Sequence, residues 1–375
     1  MRDRIYNFSL NRPWIVLLIS IILVLSTAYG AKNLIFKGDY KVFFSEGNPQ
    51  LTAFESVQEI YSKSDNVAFI LEPKNGDIFT KENLAAVYWL TTESWQVPYS
   101  TRVDSISNFQ YTIAEEDDLM VEDLVLNPDN LTPADMPRLK EIATNDPLLL
   151  NKIVSKSGHV SIVNVTNQFP GIDPITEIPE VSAKVREIKT QFEEKFPNIN
   201  VQLTGMVMMN TTFTETSISD SSTLVPAMFG VVLLIMVLLL RSFSGTFATL
   251  VVVFFSIAGT MGAVGWFGFY LTGPSVSAPT MIMTLAVADC IHILTSYYFE
   301  MRQGKAKKEA LQESLRVNFK PILLTSITTA IGFMSMNFSD SPPFRDLGNM
   351  VAIGVMLAFA FSHYSLPCLV DPTAS

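Results

Sequence analysis

The chain contains six long apolar segments, and a long polar stretch separates the first of them from the other five. About 20 apolar residues in a helix are enough to cross a bilayer. Each segment has roughly that length, so the pattern predicts six membrane-spanning helices. The predicted spans cover residues 13–30, 224–240, 247–271, 277–299, 321–338 and 347–370.

The first segment ends in Ala28-Tyr29-Gly30, which loosely fits a signal-peptide cleavage site. Its apolar run is longer than the usual core of a signal peptide. We therefore expect a membrane anchor that is retained in the mature protein.

Basic residues predict the orientation, because short loops rich in Lys and Arg remain in the cytoplasm. They precede the first span, follow the second and are concentrated between the fourth and fifth. The short loops on the opposite side, residues 272–276 and 339–346, contain Arg345 as their only basic residue. We expect the polar stretch on the external side, which in a bacterial inner membrane is the periplasm. The bases on the cytoplasmic side are Arg2, Arg4, Arg12, Arg241, Arg302, Lys305, Lys307, Lys308, Arg316 and Lys320.

Three regions follow from this pattern: residues 1–33 with the first span, an external domain at 34–222, and a five-helix membrane bundle at 223–375. Residues 210–222 contain neither Pro nor Gly, so they are expected to lead helically into the second span. Between the fourth and fifth spans, Leu311, Leu315 and Phe319 recur every four residues among bases. This favours a cytoplasmic amphipathic helix on the membrane surface at about 300–320, and a plain linker helix is the alternative.

The external region alternates strand-like and helix-like stretches. Strands are predicted at 66–71 and 102–109 with a helix at 81–95 between them, and a short helix opens at Thr132-Pro133. A hairpin at 152–157 and 160–168, a helix at 179–196 and a strand at 200–209 follow. The order predicts an α/β fold of the split βαβ, ferredoxin-like kind, arranged as two small subdomains.

Charge and cysteine content argue against a nucleic-acid-binding protein and against a disulfide-stabilised external domain. The stretch 34–222 has 28 acidic and 14 basic residues in a chain of net charge −10. This acidity argues against nucleic acid as a partner. Cys290 and Cys368 both lie in predicted spans, so the external domain has no disulfide framework.

No cofactor is indicated by the sequence. The Gly-rich phosphate-binding loop is absent and no cytoplasmic segment is large enough for a nucleotide-binding domain, so ATP hydrolysis by this chain is not expected. The acidic run at 115–118 is read as a solvated loop, with divalent-cation binding as the alternative.

One acid, Asp289, lies near the middle of the fourth span, where a charged carboxylate costs about 2.5 to 3.5 kcal/mol. His292 follows three residues later on the same helical face. Counting about 1.5 Å per residue along the fifth span brings Thr328 and Thr329 to a similar depth. We expect a proton relay of Asp289, His292, Thr328 and Thr329, and the alternative is a structural clamp with Asp289 neutral and hydrogen-bonded.

Two further observations qualify this expectation. His363 of the sixth span falls near the level of His292, close enough to the interface to be solvated. No Lys or Arg occurs within the second to sixth spans. The group that compensates Asp289 must therefore be water, another polar side chain or another polypeptide.

Three sequence stretches resemble the resistance-nodulation-division superfamily, in particular its hydrophobe exporters of the MMPL type. They are the Asp289 region at 285–294, Lys320-Pro321-Ile322-Leu323-Leu324-Thr325-Ser326-Ile327-Thr328-Thr329-Ala330-Ile331-Gly332-Phe333, and Ser339-Asp340-Ser341-Pro342-Pro343-Phe344-Arg345-Asp346-Leu347-Gly348. The order of one span, an external domain and five further spans resembles that of this superfamily over essentially the whole chain.

The resemblance implies a proton-driven exporter of hydrophobic or amphipathic, lipid-like molecules in the inner membrane, with a periplasmic porter domain and with Asp289 as its protonatable acid. Members of this family usually carry two such halves in one polypeptide, and this chain resembles the amino-terminal half. A second half, a homodimer mate or another chain is then expected to complete the membrane core, and a periplasmic carrier is a further expected partner.

Two other functions stay open. Spans two to six are similar to the sterol-sensing module of Patched-like proteins, which indicates lipid sensing or binding. The accessory pair of the Sec translocase also consists of six-span halves, which indicates a motor for protein translocation. The substrate cannot be read from the sequence; Met206, Met208 and Met209 are candidates for an adaptable apolar path, with ordinary packing as the alternative.

Overall fold

The computed structural model describes residues 9–45, 47–61, 65–115, 118–170 and 174–370. Helices dominate these residues, and strands are confined to the region between the first and second long apolar helices. In chain order the elements are α1 (Pro13–Ala28), α2 (Pro49–Tyr61), β1 (Asp65–Pro73), α3 (Lys81–Ser94), β2 (Ser100–Asp104), β3 (Gln110–Glu115), β4 (Asp118–Asp123), α4 (Asp135–Asn145), β5 (Ser161–Asn167), α5 (Pro174–Lys195), β6 (Ile199–Thr204), α6 (Met206–Leu240), α7 (Phe243–Trp266), α8 (Ala278–Arg302), α9 (Lys307–Met334) and α10 (Pro342–Val370).

Six helical segments among the described residues are long and apolar enough to cross a membrane, as the hydrophobic pattern predicted. Several extend well beyond the apolar stretch that identified them. The polar residues before the second span are helical and continuous with it, as expected. The six segments are Pro13–Asn33, Met206–Leu240, Phe243–Trp266, Ser275–Arg302, Lys307–Phe338 and Pro342–Val370.

The segment at 300–320 differs from the prediction of a separate amphipathic helix. Its first residues end α8 at Arg302, a turn follows with Gly304 at φ +90°, and α9 then runs unbroken through Pro321. Leu311 and Leu315 are buried. They pack against neighbouring helices, so the apolar stripe belongs to the interior of the helix bundle.

Two compact units divide the chain, one of residues 49–213 and the other of residues 1–48 with 214–375. The first unit contains one four-stranded antiparallel sheet in the order β2-β5-β1-β6, and a separate two-stranded ribbon of β3 and β4. In the sheet Phe69 of β1 is opposite both Val163 and Leu203. The described strands therefore form one sheet and one ribbon, not the two small subdomains predicted.

The core of this unit lies between the sheet and helices α3 and α5. β5 alternates buried and half-buried residues, the period expected of a strand with one covered face. Fully buried side chains of the two helices cover that face, and apolar burial of this kind is the main force that holds such a layer together. These side chains are Leu84, Val87, Leu90, Val181, Val185, Ile188 and Phe192.

Three strand predictions need correction. Residues 152–157 are mostly turns, so the expected hairpin is reduced to a single antiparallel bridge between Val154 and Ser161, and only 161–167 is a strand. The strand at 102–109 ends at Asp104, because Asn108 closes a turn by donating to the carbonyl of Val103 at 2.6 Å. The last strand ends at Thr204, since Gly205 has φ +109° and turns the chain into α6. A side chain there would lie 2.4 Å from the Asn66 carbonyl oxygen, which only glycine avoids.

In the second unit, α10 is the most enclosed helix and contacts α1, α7, α8 and α9. The second span, α6, is the least enclosed. Its outward face consists of large apolar side chains, as expected for contact with lipid. These exposed residues are Leu224, Val231, Leu234, Ile235, Leu238 and Leu239.

Candidate functional site

Asp289 lies near the middle of α8 and is 9% exposed. It comes between Ala286 and Cys290, which are fully buried, on the side of α8 that packs into the bundle. A carboxylate at this depth needs a partner, water or a proton. Asp289 is therefore the residue in the described spans whose chemistry most requires an explanation.

No hydrogen-bonding group of the described residues reaches the Asp289 carboxyl, and no base forms an ion pair with it. The structural clamp considered above requires such a partner. Its carboxyl is thus held by packing alone within this part of the chain, and it retains a small opening to its surroundings.

The other residues of the predicted relay do not join Asp289 in a hydrogen-bonded cluster. His292 is exposed on the outer side of α8. Thr328 is exposed on α9, where its hydroxyl donates to the carbonyls of Leu324 and Thr325 at 2.8 and 3.0 Å. Thr329 is half-buried. No hydrogen bond joins any of the three to the Asp289 carboxyl.

His292 and Thr328 belong to a stripe of exposed small and polar residues on α8 and α9, which we call the polar face. On α9 it runs beside exposed large apolar side chains, which are Leu324, Ile327, Ile331 and Met334. Side chains that face hydrocarbon in a membrane are normally apolar, as they are on α6. The polar face therefore suits water or protein better than lipid. Its exposed members are Thr284, Ala288, His292, Thr295, Thr325, Thr328, Gly332 and Ser335.

A stripe of buried hydroxyls runs along α7, which packs against α8. Thr249, Ser256 and Thr260 are fully buried, and each donates to the carbonyl four residues earlier, at 2.9, 2.8 and 2.6 Å. Self-satisfied hydroxyls of this kind let helices approach closely. The sequence reasoning did not single them out, although their spacing of seven and four residues on one helix face was readable.

His363 is fully buried, so the expectation that it is solvated near the interface was wrong. Its Nδ1 lies 3.0 Å from the Phe359 carbonyl oxygen, while its Nε2 has no hydrogen-bond partner among the described residues. The rings of Phe319 and Phe359 pack on it with centroids 5.5 and 4.4 Å away. His363 is thus a second unsatisfied polar group inside the bundle.

The three methionines proposed for a substrate path begin α6 and do not share one environment. Met208 is buried in the core of the α/β unit, Met206 is half-buried and Met209 is 39% exposed. No group of three or more His, Cys, Asp or Glu suited to a metal occurs within the described residues. Two members of the acidic run, Glu116 and Asp117, lie outside them.

Comparison with known proteins identifies the family. The model of the MMPL family matches residues 44–371. A Methanocaldococcus jannaschii protein whose name describes it as a membrane protein is 21% identical, with 98% of this chain and 92% of the relative covered. The siderophore exporter MmpL5 of Mycobacterium tuberculosis is 23% identical over 61% of this chain, which spans only 24% of that relative. The family match covers both the α/β unit and the five helices that follow it, and we conclude that this chain is a member of the MMPL family.

Proposed function

We propose that the chain is a secondary active exporter that moves hydrophobic or amphipathic, lipid-like molecules and is driven by protons. The observation that carries this proposal is the buried, unpartnered carboxyl of Asp289 in the middle of α8. Membership of the MMPL family supports export, since one relative bears the name of a siderophore exporter.

In this proposal Asp289 alternates between a neutral and a charged form. Each proton that moves down the membrane potential supplies about 2.3 kcal/mol per 100 mV. A charged carboxylate favours a conformation that admits water or a partner group, and the neutral acid favours the packed conformation described above. His292, Thr328 and Thr329 would pass the proton through water beside the polar face, because none of them is hydrogen-bonded to the acid.

The polar face also supports the proposal that another polypeptide completes the membrane core. A second half, a homodimer mate or a different chain would cover it and supply the polar group that Asp289 lacks. Membrane lipids and the substrate are further expected partners, together with a periplasmic carrier, and nucleic acid is not expected.

We further propose that the α/β unit is a ferredoxin-like porter domain in the periplasm of a bacterial inner membrane. The strand order β2-β5-β1-β6 and the two strand-helix-strand passages through α3 and α5 support the split βαβ assignment. The basic residues lie at the ends of the spans away from the α/β unit in the predicted topology, and this supports the periplasmic orientation of that unit. This porter domain would comprise residues 34–222, which follow the anchor at 1–33 and precede the bundle at 223–375 in the chain, and Met206, Met208 and Met209 would line the substrate path.

The test is lipid-probe movement in proteoliposomes under an imposed pH gradient, followed by dithionite quenching of a fluorescent phospholipid. We expect gradient-dependent movement that an uncoupler abolishes. Asp289→Asn should lose it, by roughly 100-fold or more if the acid is the coupling group. Asp340→Asn makes the same chemical change in an exposed loop and should retain movement.

Two outcomes would contradict the proposal. Equal movement in wild type and Asp289→Asn would exclude the acid from coupling. Probe binding without any gradient-dependent movement, in wild type, would favour lipid sensing instead.

A further inference from the structure

A cleft of about 590 Å³ lies within the membrane unit, at the end of the helices where the chain leaves the first span. Three chain segments form it: the residues after α1, the loop between α7 and α8, and the end of the loop after α9 together with the first turns of α10. Cavities of this size accommodate small organic groups. Asp289 does not line it, so the cleft is separate from the proposed coupling site.

Two cations and one acid line the cleft, namely Lys37, Arg345 and Asp346. No carboxylate of the described residues forms an ion pair with either cation, although Arg345 and its neighbour Asp346 interact electrostatically. Glu46 lies outside the described residues. The described lining therefore carries an excess of positive charge.

The fold holds Lys37 at this position. Its backbone N–H donates to the Leu271 carbonyl at 2.7 Å, and the Leu271 N–H donates to the Ile35 carbonyl at 2.9 Å. The Lys37 ammonium lies 3.4 Å from the centre of the Tyr270 ring, which also lines the cleft. A cation held by an aromatic face keeps its N–H donors available to an anion.

Two neutral amides, Asn337 and Asn349, also line the cleft. Asn337 and Asn349 exchange two amide hydrogen bonds of 2.8 and 2.9 Å, which fix both side chains. Each amide nitrogen carries two hydrogens. Asn337 uses its second hydrogen on the Met334 carbonyl, whereas that of Asn349 has no partner among the described residues. The cleft thus combines cations with a pre-oriented amide donor, the usual set for binding phosphate.

Exposed aromatic residues indicate the depth of the cleft. Aromatic side chains concentrate where the bilayer meets water, at the level of the lipid headgroups. Near this end of the helices Trp266, Phe267, Phe338 and Phe344 are all exposed. A phospholipid headgroup would therefore reach the cleft from the surrounding membrane.

We propose that this cleft is a phosphate-binding site, formed by Lys37, Arg345 and the Asn349 amide, that takes the headgroup of an anionic phospholipid or a free phosphate monoester. The proposal does not depend on export or on Asp289.

The experiment is a native mass-spectrometry titration of the full chain in detergent with phosphatidylglycerol, and with diacylglycerol of the same acyl chains. Wild type should bind phosphatidylglycerol at least tenfold more tightly than diacylglycerol. Lys37→Gln and Arg345→Gln should each lower the affinity for phosphatidylglycerol about tenfold, because each removes a hydrogen bond between charged groups. Lys37→Arg should restore most of the affinity.

Lys32→Gln is the matched control, since Lys32 also lies over a tyrosine, at 3.8 Å from the Tyr29 ring, but does not line the cleft. It should change the affinity less than twofold.

Competition by glycerol 3-phosphate would identify free phosphate esters as ligands too, and phosphate-dependent lipid binding without such competition would identify the lipid headgroup. Equal affinity for the two lipids, or equal loss in Lys32→Gln and Lys37→Gln, would overturn the proposal. Asp289→Asn should bind as wild type, which separates this site from export.

Discussion

Gly262 of α7 lies directly against Thr27 of α1: a methyl group added to Gly262 would be 2.0 Å from the Thr27 carbonyl oxygen. Gly265, three residues further along α7, meets the Gly30 carbonyl oxygen in the same way, at 2.1 Å. Both obstacles are backbone atoms, which cannot move aside as a side chain can. The first span is therefore fixed to the bundle through glycine contacts, a common mode of helix association in membranes.

Gly262→Ala should separate α1 from α7 and destabilise the protein by about 1 to 3 kcal/mol, the usual cost of overpacking. The measurement is the temperature at which half of the detergent-solubilised protein loses its monodisperse gel-filtration peak. Gly230→Ala is the control, because no atom lies within 4 Å of the position its methyl group would occupy. An unchanged midpoint in Gly262→Ala would contradict the close contact.

Asn337 and Asn349 connect the ends of α9 and α10 through their reciprocal amide bonds. Replacing either with Ala should cost about 1 kcal/mol, because the remaining amide loses its partner. The double variant should cost clearly less than the sum, with a coupling energy of about 0.5 to 1.5 kcal/mol. The free energy of unfolding of wild type, both single variants and the double variant would be measured by denaturation in mixed micelles. Strictly additive losses of stability would argue against an interaction between the two side chains.

His363→Phe should leave the protein at least as stable as wild type. The change removes a buried Nε2 without a partner, a defect that costs about 1 to 3 kcal/mol, and inserts an aromatic ring between Phe319 and Phe359. His363→Ala should instead destabilise by about 2 to 4 kcal/mol through the cavity it leaves. Thermal midpoints of both variants test this. A less stable His363→Phe would indicate that Nε2 has a partner outside the described residues.

The sequence predicted the six membrane-length helices and the position of Asp289 within the fourth of them, for a simple physical reason. Length and hydropathy are local properties, and a lone acid in an apolar run is conspicuous. Contacts around helices are not local. Thr328 was expected at the depth of Asp289, yet its side chain is exposed, because depth does not determine the rotation of one helix against another. His363 was misjudged because Phe319, assigned to a surface helix, belongs to α9 and covers it.

The start of the second span also depends on a contact that is not local in the sequence. Residues 206–209 are apolar and fit a strand or a helix equally well, and only the turn at Gly205 decides between them. The close approach of Asn66 that requires glycine there is a tertiary contact. A pattern read along the chain cannot reveal it.

Acidification should weaken the first turn of α4. Hydrogen bonds from the backbone N–H and the hydroxyl of Thr132, at 2.8 and 2.7 Å, lower the pKa of Asp135. A lowered folded-state pKa gives stability that is present above the ordinary value of about 4 and is lost as the pH falls through the folded value. Hydrogen exchange of residues 132–145 should therefore be faster in Asp135→Asn than in wild type at pH 7, and the difference should shrink below pH 4. A difference that does not change with pH would contradict this assignment.

The polar face of α8 and α9 should be shielded from lipid. If another polypeptide covers α8 and α9 in the membrane, a spin label at Ala288 should collide with dissolved oxygen much less often than a label on a lipid-facing helix. Leu234 of α6, 60% exposed on an apolar surface, is the matched lipid-facing position. Both labels would be introduced as cysteines in a background with Cys290→Ala and Cys368→Ala, and power saturation would be measured in proteoliposomes. We expect oxygen accessibility at Ala288→Cys to be several-fold lower than at Leu234→Cys. Equal accessibility would mean that lipid covers the polar face, and Asp289 would then need its compensating group from water alone.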